Sequence, residues 1–253
     1  METPDKNLVK KRFSRSLSTY AESADIQRYM AEKLTGMIVR QGTSFPKVLE
    51  IGAGSGILTG MLDGKITWNA RTVNDLAEDC APFHTGRLHT VFVAGDAETL
   101  DWGDTAFDLI CSNAVFQWFA DLPAFLRKSK KILSPGGILA FTSFGPENLR
   151  ELKQLTGHGL DYYPPERLAE ILVSCGFAVT DRSEEIRKCR FDDPLDSLRK
   201  MRRTGVGASA DKSWWTPHLL SEFRRRYRER FGTADHRVEL TWHPIYILAR
   251  TGG

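Results

Sequence analysis

Lys47-Val-Leu-Glu50-Ile-Gly52-Ala-Gly54-Ser-Gly56-Ile-Leu-Thr-Gly60 is the stretch that decides the fold. Val48 to Ile51 is a short apolar run interrupted by one acid, Glu50, with the length and content of a buried parallel strand. It breaks into three alternating glycines, and the Ile57-Leu58…Met61-Leu62 spacing then opens a helix. Strand, glycine turn and helix are how an α/β sheet presents a nucleotide-like ligand at its carboxyl edge. Glycine reaches φ values that other residues resist and lets a ligand approach the backbone closely. A dinucleotide fingerprint would require Gly or Ala at position 57, where this chain has Ile57. Glu50 would repel a pyrophosphate and attract a cation, such as the ammonium of an amino-acid moiety.

The Glu50-x-Gly52-x-Gly54-x-Gly56 pattern resembles the first motif of class I S-adenosylmethionine-dependent methyltransferases. Its bland alternative is an ordinary βα turn with chance glycines. The composition of the 253 residues suits a globular chain, at 41% apolar and 26% charged. No apolar run approaches the ~18 residues of a membrane span, and Met1 to Ser16 lacks the apolar core of a signal peptide. Cys80, Cys111, Cys175 and Cys189 are scattered without metal-like pairs. That spacing fits buried thiols in a reducing compartment better than disulfides or zinc, so a cytoplasmic protein without a metal is expected.

Outward from the turn, apolar residues at helical spacing run from Phe13 to Ile38 and predict helix over residues 5–42. Strands are expected at 68–73, 91–94, 107–113, 138–143, 177–190 and 237–251, which with 48–51 makes seven. Asp75 closes the second strand, where an acid can accept ribose hydroxyls or merely cap a helix starting at Leu76 or Ala77. Asp96 and Ala97 follow the third strand, placed to meet an adenine amino group and leave room for its ring. Asn113 ends the fourth, beside the same crevice. Residues 121–133 form an amphipathic helix stopped by Ser134-Pro135-Gly136-Gly137, and residues 164–175 another, with Gly176 as its end signal. Helices at 194–203 and 217–231 interrupt the rhythm before the last strand. The expected organisation is an amino-terminal helical cap (1–45), a core (46–191 and 236–253) and a helical lid (192–235).

The segment Phe13-x-Arg15-Ser-Leu-Ser-Thr-Tyr20-Ala-x-x-Ala24-x-x-Gln27 resembles the amino-terminal signature of the malonyl-acyl carrier protein O-methyltransferases of biotin synthesis. Asp96-Ala-Glu-x-Leu100, Asn113-x-x-x-Gln117-Trp118, Phe144-Gly145-Pro146 and Leu198-Arg199-x-x-Arg202-x-x-Gly205 are similar to further segments of that family. Departures are mild: Ala21 follows Tyr20 where the family commonly has Asp, Glu50 and Ser55 are close replacements, and Arg202 stands for a common lysine. The resemblance implies a Rossmann-like class I fold with a seven-stranded mostly parallel sheet. It implies S-adenosylmethionine as methyl donor, contacted by Glu50, Gly52, Gly54, Gly56, Asp75, Leu76, Asp96, Ala97 and Asn113. It also implies methylation of the malonyl carboxylate on an acyl carrier protein, or on CoA.

A carboxylate with an ordinary value near ~4 is already ionised at neutral pH, so this chemistry needs no general base. Positioning it calls for a cation, and an arginine fork suits a carboxylate. Arg199, Arg202 and Arg203 are the candidates, with Tyr20 closing from the other side. Their alternatives are a solvated helix face and a core aromatic. Arginines at 199, 202, 203, 224, 225, 226, 228 and 230 concentrate charge in the lid and are expected to steer an acidic carrier. Trp214 and Trp215 are expected in the lid core or along the acyl arm. A nucleic-acid reading ranks lower, since net charge is only +3 and no groove-entry motif is present. Neither nucleic acid nor membrane is an expected partner, and a monomer is expected. Methylation of a quinone precursor or small tricarboxylate, or a cofactor-binding assembly factor without turnover, are the competing classes.

Overall fold

In chain order the strands are β1 (Lys47–Ile51), β2 (Ala70–Asp75), β3 (Thr90–Ala94), β4 (Phe107–Asn113), β5 (Leu133–Phe144), β6 (Phe177–Glu184), β7 (Arg187–Phe191), β8 (Val238–Trp242) and β9 (Pro244–Thr251). The helices are α1 (Lys6–Ser23), α2 (Asp25–Gln41), α3 (Ile57–Leu62), α4 (Leu122–Ile132), α5 (Arg150–Thr156), α6 (Pro165–Ser174), α7 (Pro194–Arg203) and α8 (Pro217–Phe231). The computed structural model describes residues 5–203 and 216–252. The side chains of Arg202 and Arg203, the Ala21-Glu22 pair, the 204–211 link and Trp214-Trp215 lie outside the described residues.

Seven strands form one sheet in the order β3-β2-β1-β4-β5-β9-β6. β1 pairs in parallel with β2 and β4, and only β9 runs antiparallel to its neighbours β5 and β6. The order reverses between β1 and β4, which is where a doubly wound sheet opens a crevice. Strand alternation feeds two cores. Val48, Leu109, Cys111, Ile138 and Ala140 face the side covered by α2, α3 and α8. Leu49, Ile51, Ile110, Leu139 and Phe141 face α4 and α6. Burial on both faces is why these strands are continuous apolar runs rather than alternating ones.

Several expected boundaries move. Residues 177–190 are not one strand: β6 stays in the main sheet, while β7 pairs with β8 in a separate two-stranded sheet. The last stretch divides likewise into β8 and β9, because the chain crosses between sheets at the buried His243. Its backbone carbonyl accepts from Gly145 N at 2.8 Å, and a Cβ on Gly145 would stand 2.5 Å from the His243 ring. Ser134-Pro135-Gly136-Gly137 does come after α4 but belongs to the start of β5. A register shift between Phe107 and Leu109 on the neighbouring strand accommodates it. The helical amino terminus divides at Ala24, and α5 had no counterpart among the elements expected from sequence. Cys80, Cys111 and Cys175 are buried free thiols, and Cys189 is half-buried. No described helix is long and apolar enough to cross a membrane.

Candidate active site

The glycine turn after β1 is shaped by the groups that stand against it. Gly52, Gly54 and Gly56 all take positive φ, at 68°, 53° and 79°. A Cβ on Gly52 would meet Val115 Cγ2 at 2.2 Å, and one on Gly54 would press Phe13 Cζ at 3.1 Å. The turn is therefore sandwiched between α1 and the loop after β4. Asp75 fixes its course: one carboxylate oxygen accepts from Gly54 N at 2.9 Å and the other from Ala77 N at 2.9 Å. Asp75 thus does not cap a regular helix, and the next element is a 3-10 segment, Glu78–Phe83, containing Pro82. His84 donates from Nε2 to the Gly54 carbonyl at 3.0 Å. Burial holds its ring below the usual imidazole range, so the ring stays neutral.

Above this turn lies a cavity with about 1150 Å³ of empty space, its open mouth included. Glu50, Gly52, Gly54, Asp75, Leu76, Asp96, Ala97 and Asn113 line it together, and Tyr20 joins them from α1. The tips of β1, β2, β3 and β4 supply these residues, so the sheet order brings them together. Gly56 is not in the lining; it opens α3 and faces Arg87 and His84. Arg199 lies outside the cavity too, exposed and paired with Asp196 at 2.6 Å.

The electrostatics favour a cationic guest. Glu50 is 1% exposed and accepts from Thr59 Oγ1 at 2.8 Å. Burial pushes its carboxyl up to about 7, with the Thr59 hydrogen bond and the Arg71 charge pulling the other way. Three residues of the cavity wall each hold a further buried polar atom without a partner among the described residues: Gln27 Oε1, Gln117 Oε1 and Ser55 Oγ. Two are pure acceptors and the third can accept, and a buried acceptor left unmet costs free energy. Gln27 is held in place because Asn113 Nδ2 donates to its backbone carbonyl at 3.0 Å. Asn113 in turn accepts from Thr142 Oγ1 at 2.7 Å. Gln117 spends its amide N–H on the Ala114 carbonyl at 2.7 Å, and Ala114 itself takes a positive φ of 57°. Burial and the Asp75 charge push the Tyr20 phenol up, so it remains protonated.

Sequence reasoning gave Gln27, Gln117 and Trp118 no role beyond resemblance, and it missed Lys6, Val9 and Lys10 in the cavity wall. Lys6 bonds to both Asp96 and Glu98 and roofs the cavity. No spacing rule links residues 90 positions apart, so only the folded chain shows this pair.

Residues 49–141 match the family model described as "Methyltransferase domain". The chain is 39% identical over 249 residues to a malonyl-[acyl-carrier protein] O-methyltransferase of Porphyromonas gingivalis, covering 97% of this chain and 96% of that one. It is 38% identical to the protein of the same name from Chlorobium luteolum, over 97% and 95% of the two chains. Among solved structures it is similar to the N-methyltransferase NodS of Bradyrhizobium japonicum in complex with S-adenosylhomocysteine. That match has a TM-score of 0.61 at 16% identity, over 97% of this chain and 99% of the other, and shows the shared fold. Full-length identity at this level means that the chain belongs to the malonyl-[acyl-carrier protein] O-methyltransferase family.

Proposed function

We propose that this protein moves a methyl group from S-adenosylmethionine to the free carboxylate of a malonyl thioester on an acyl carrier protein, an early step of biotin synthesis. The observation that carries the reading is the buried acceptor set of the cavity: Glu50 with the unpartnered oxygens of Gln27, Gln117 and Ser55. Such a lining matches a guest that brings N–H and O–H donors and net positive charge. S-adenosylmethionine supplies an electrophilic methyl group on a positively charged sulfur.

In this reading Glu50 faces the ammonium end, Asp75 receives the ribose hydroxyls, and Asp96 the adenine amino group, with Leu76 and Ala97 against the ring. Gln27, Gln117 and Asn113 stand beside the reacting centre at the tip of β4. No residue has to remove a proton, since the acceptor carboxylate is ionised at neutral pH. Rate then comes from holding the oxygen in line with the methyl group, an effect that can supply roughly 7–11 kcal/mol. Tyr20 donates one hydrogen bond to the malonyl carboxylate without taking its charge. Arg202 and Arg203 hold the far oxygen from the lid, and Arg199 is left to Asp196. An anion and a cation become two neutral groups, so excluding water favours reaction. The amino-terminal cap (1–45) and the lid insertion (192–235) serve that exclusion around the core, in a monomeric cytoplasmic enzyme.

The test is initial-rate methyl transfer to malonyl-carrier, malonyl-CoA and free malonate. The reading expects a base-labile methyl ester on the carrier-bound thioester at the highest kcat/KM. Transfer only to a quinone precursor or a tricarboxylate, or to no acceptor at all, would replace it by one of the competing classes.

A further inference from the structure

Where the carrier lands can be read from charge that the fold leaves unspent. Residues 6–16 hold Lys6, Lys10, Lys11, Arg12 and Arg15 and no acid. Lys6 turns inward to Asp96 and Glu98, and Arg12 has an interaction of its own. Lys10, Lys11 and Arg15 are exposed and make no ion pair with another described residue. The same turn of helix is the rim of the cavity, since Val9, Lys10 and Phe13 line it.

The lid, which by sequence holds more arginines, is spent differently. Arg199 pairs with Asp196, Arg224 with Asp193, and Arg225 with both Glu222 and Glu229. Arg228 and Arg230 bond to the Asp192 carbonyl and the Gln154 side chain. Cations already matched by carboxylates on the same surface attract an acidic partner weakly, because the summed field is what steers encounter. Arg226, Arg228 and Arg230 are in no ion pair with a described carboxylate, so on α8 the acids offset part of the charge and not all of it.

We propose that the outward face of α1, through Lys10, Lys11 and Arg15, is the docking surface for the acidic carrier protein. The acyl arm then enters past Val9 and Phe13, with Lys10 beside the phosphodiester at its base. This rests on the reading that the acceptor is carrier-bound. It moves the steering charge from the lid arginines to the amino-terminal helix.

The experiment compares wild type with Lys11→Glu/Arg15→Glu in the full chain, by two measurements. One is binding of the unmalonylated holo-carrier, followed by fluorescence anisotropy. The other is steady-state methylation of malonyl-carrier against malonyl-pantetheine, which has the arm without the protein. The expected result is a roughly tenfold weaker carrier Kd and higher KM, a kcat within about twofold, and a shallower salt dependence. Malonyl-pantetheine turnover should not change. The matched reversal Arg127→Glu/Lys131→Glu on the exposed face of α4 controls for net charge. Lys11→Gln/Arg15→Gln gives a smaller shift of the same sign and serves if the reversal variant fails to fold. The proposal is overturned if carrier binding ignores both α1 variants, or if Arg225→Glu/Arg226→Glu produces the loss instead. Holo-carrier binding that depends on Lys11 and Arg15 without any methyl ester formed would keep the docking surface and reject the acceptor.

Discussion

The Lys6 ammonium lies 2.6 Å from Asp96 Oδ2 and also reaches Glu98, which ties the first turn of α1 to the tip of β3. The carboxylate assigned to the adenine amino group is therefore shared with the helix that roofs the cavity. Breaking a partly exposed pair of this kind costs at most about 1 kcal/mol. Lys6→Met should accordingly speed release of S-adenosylhomocysteine by roughly fivefold at most, with little change in thermal stability. Stopped-flow displacement measures it. A dissociation rate equal to wild type would mean that the contact does not hold the roof.

Glu50 couples ligand binding to pH. Its folded-state value is raised from 4.5 to about 7 by burial. The folded chain thus keeps a proton that the unfolded chain gives up, so ligand-free stability falls as pH rises from about 4.5 to about 7. A cationic guest needs the carboxylate, so affinity for S-adenosylmethionine should fall as pH drops below about 7. Glu50→Gln should therefore raise the ligand-free Tm at pH ~8 while weakening the methyl donor about tenfold or more, because the buried ammonium then loses its counter-charge. Calorimetry and thermal scans across pH read both signs. A variant that loses stability and keeps affinity would reverse the assignment.

Gly52 tests the close approach under the cavity. Its φ of 68° and the 2.2 Å distance a Cβ would have to Val115 Cγ2 give two separate penalties. Gly52→Ala should cost about 2 kcal/mol or more in stability and lose donor binding. Adding Val115→Ala should recover part of the stability by removing the steric share and leaving the backbone strain. Chemical denaturation of the single and double variants measures this; no recovery at all would place the cost in φ alone.

Arg199 and Arg202, both on α7, carry different roles in this proposal. Arg199 is 63% exposed by side chain and engaged with Asp196, so Arg199→Ala should leave kcat within about twofold, as surface pairs contribute little. Arg202→Ala should spare donor binding and lower kcat about tenfold or more, through loss of the grip proposed for it on the acceptor carboxylate. Steady-state kinetics with malonyl-carrier, alongside donor calorimetry, distinguishes the two. The reverse pattern would exchange their roles.

Much of this architecture was legible because it is local. The glycine turn, the apolar strand runs, and the helices at 194–203 and 217–231 arise from short-range pattern, and both helices match residue for residue. The breaks at 185–186 and at His243 were missed although each carries a weak local signal, Glu184-Glu185 at one and Pro244 at the other. Where the chain crosses between the two sheets, His243 is also fixed by a tertiary relation, its fit against Gly145 and Glu184. In the site, Asp75, Asp96 and Asn113 were visible as strand-tip residues. Lys6 and the unpartnered oxygen of Gln27 were not, because each matters only through a neighbour far along the chain. The arginine run on α8 is offset in part by Glu222 and Glu229, three and four positions from Arg225 and so legible in the sequence, and by Asp193, which only folding brings to Arg224.

Whether a carboxylate-flanked turn receives a cationic donor rather than a pyrophosphate decides all the rest. Titration of the purified protein by isothermal calorimetry with S-adenosylmethionine, S-adenosylhomocysteine and NAD measures it directly. Saturable heat at one site for the first two, and none for NAD, is the predicted result. Tight NAD binding with no heat from either sulfur nucleoside would contradict it.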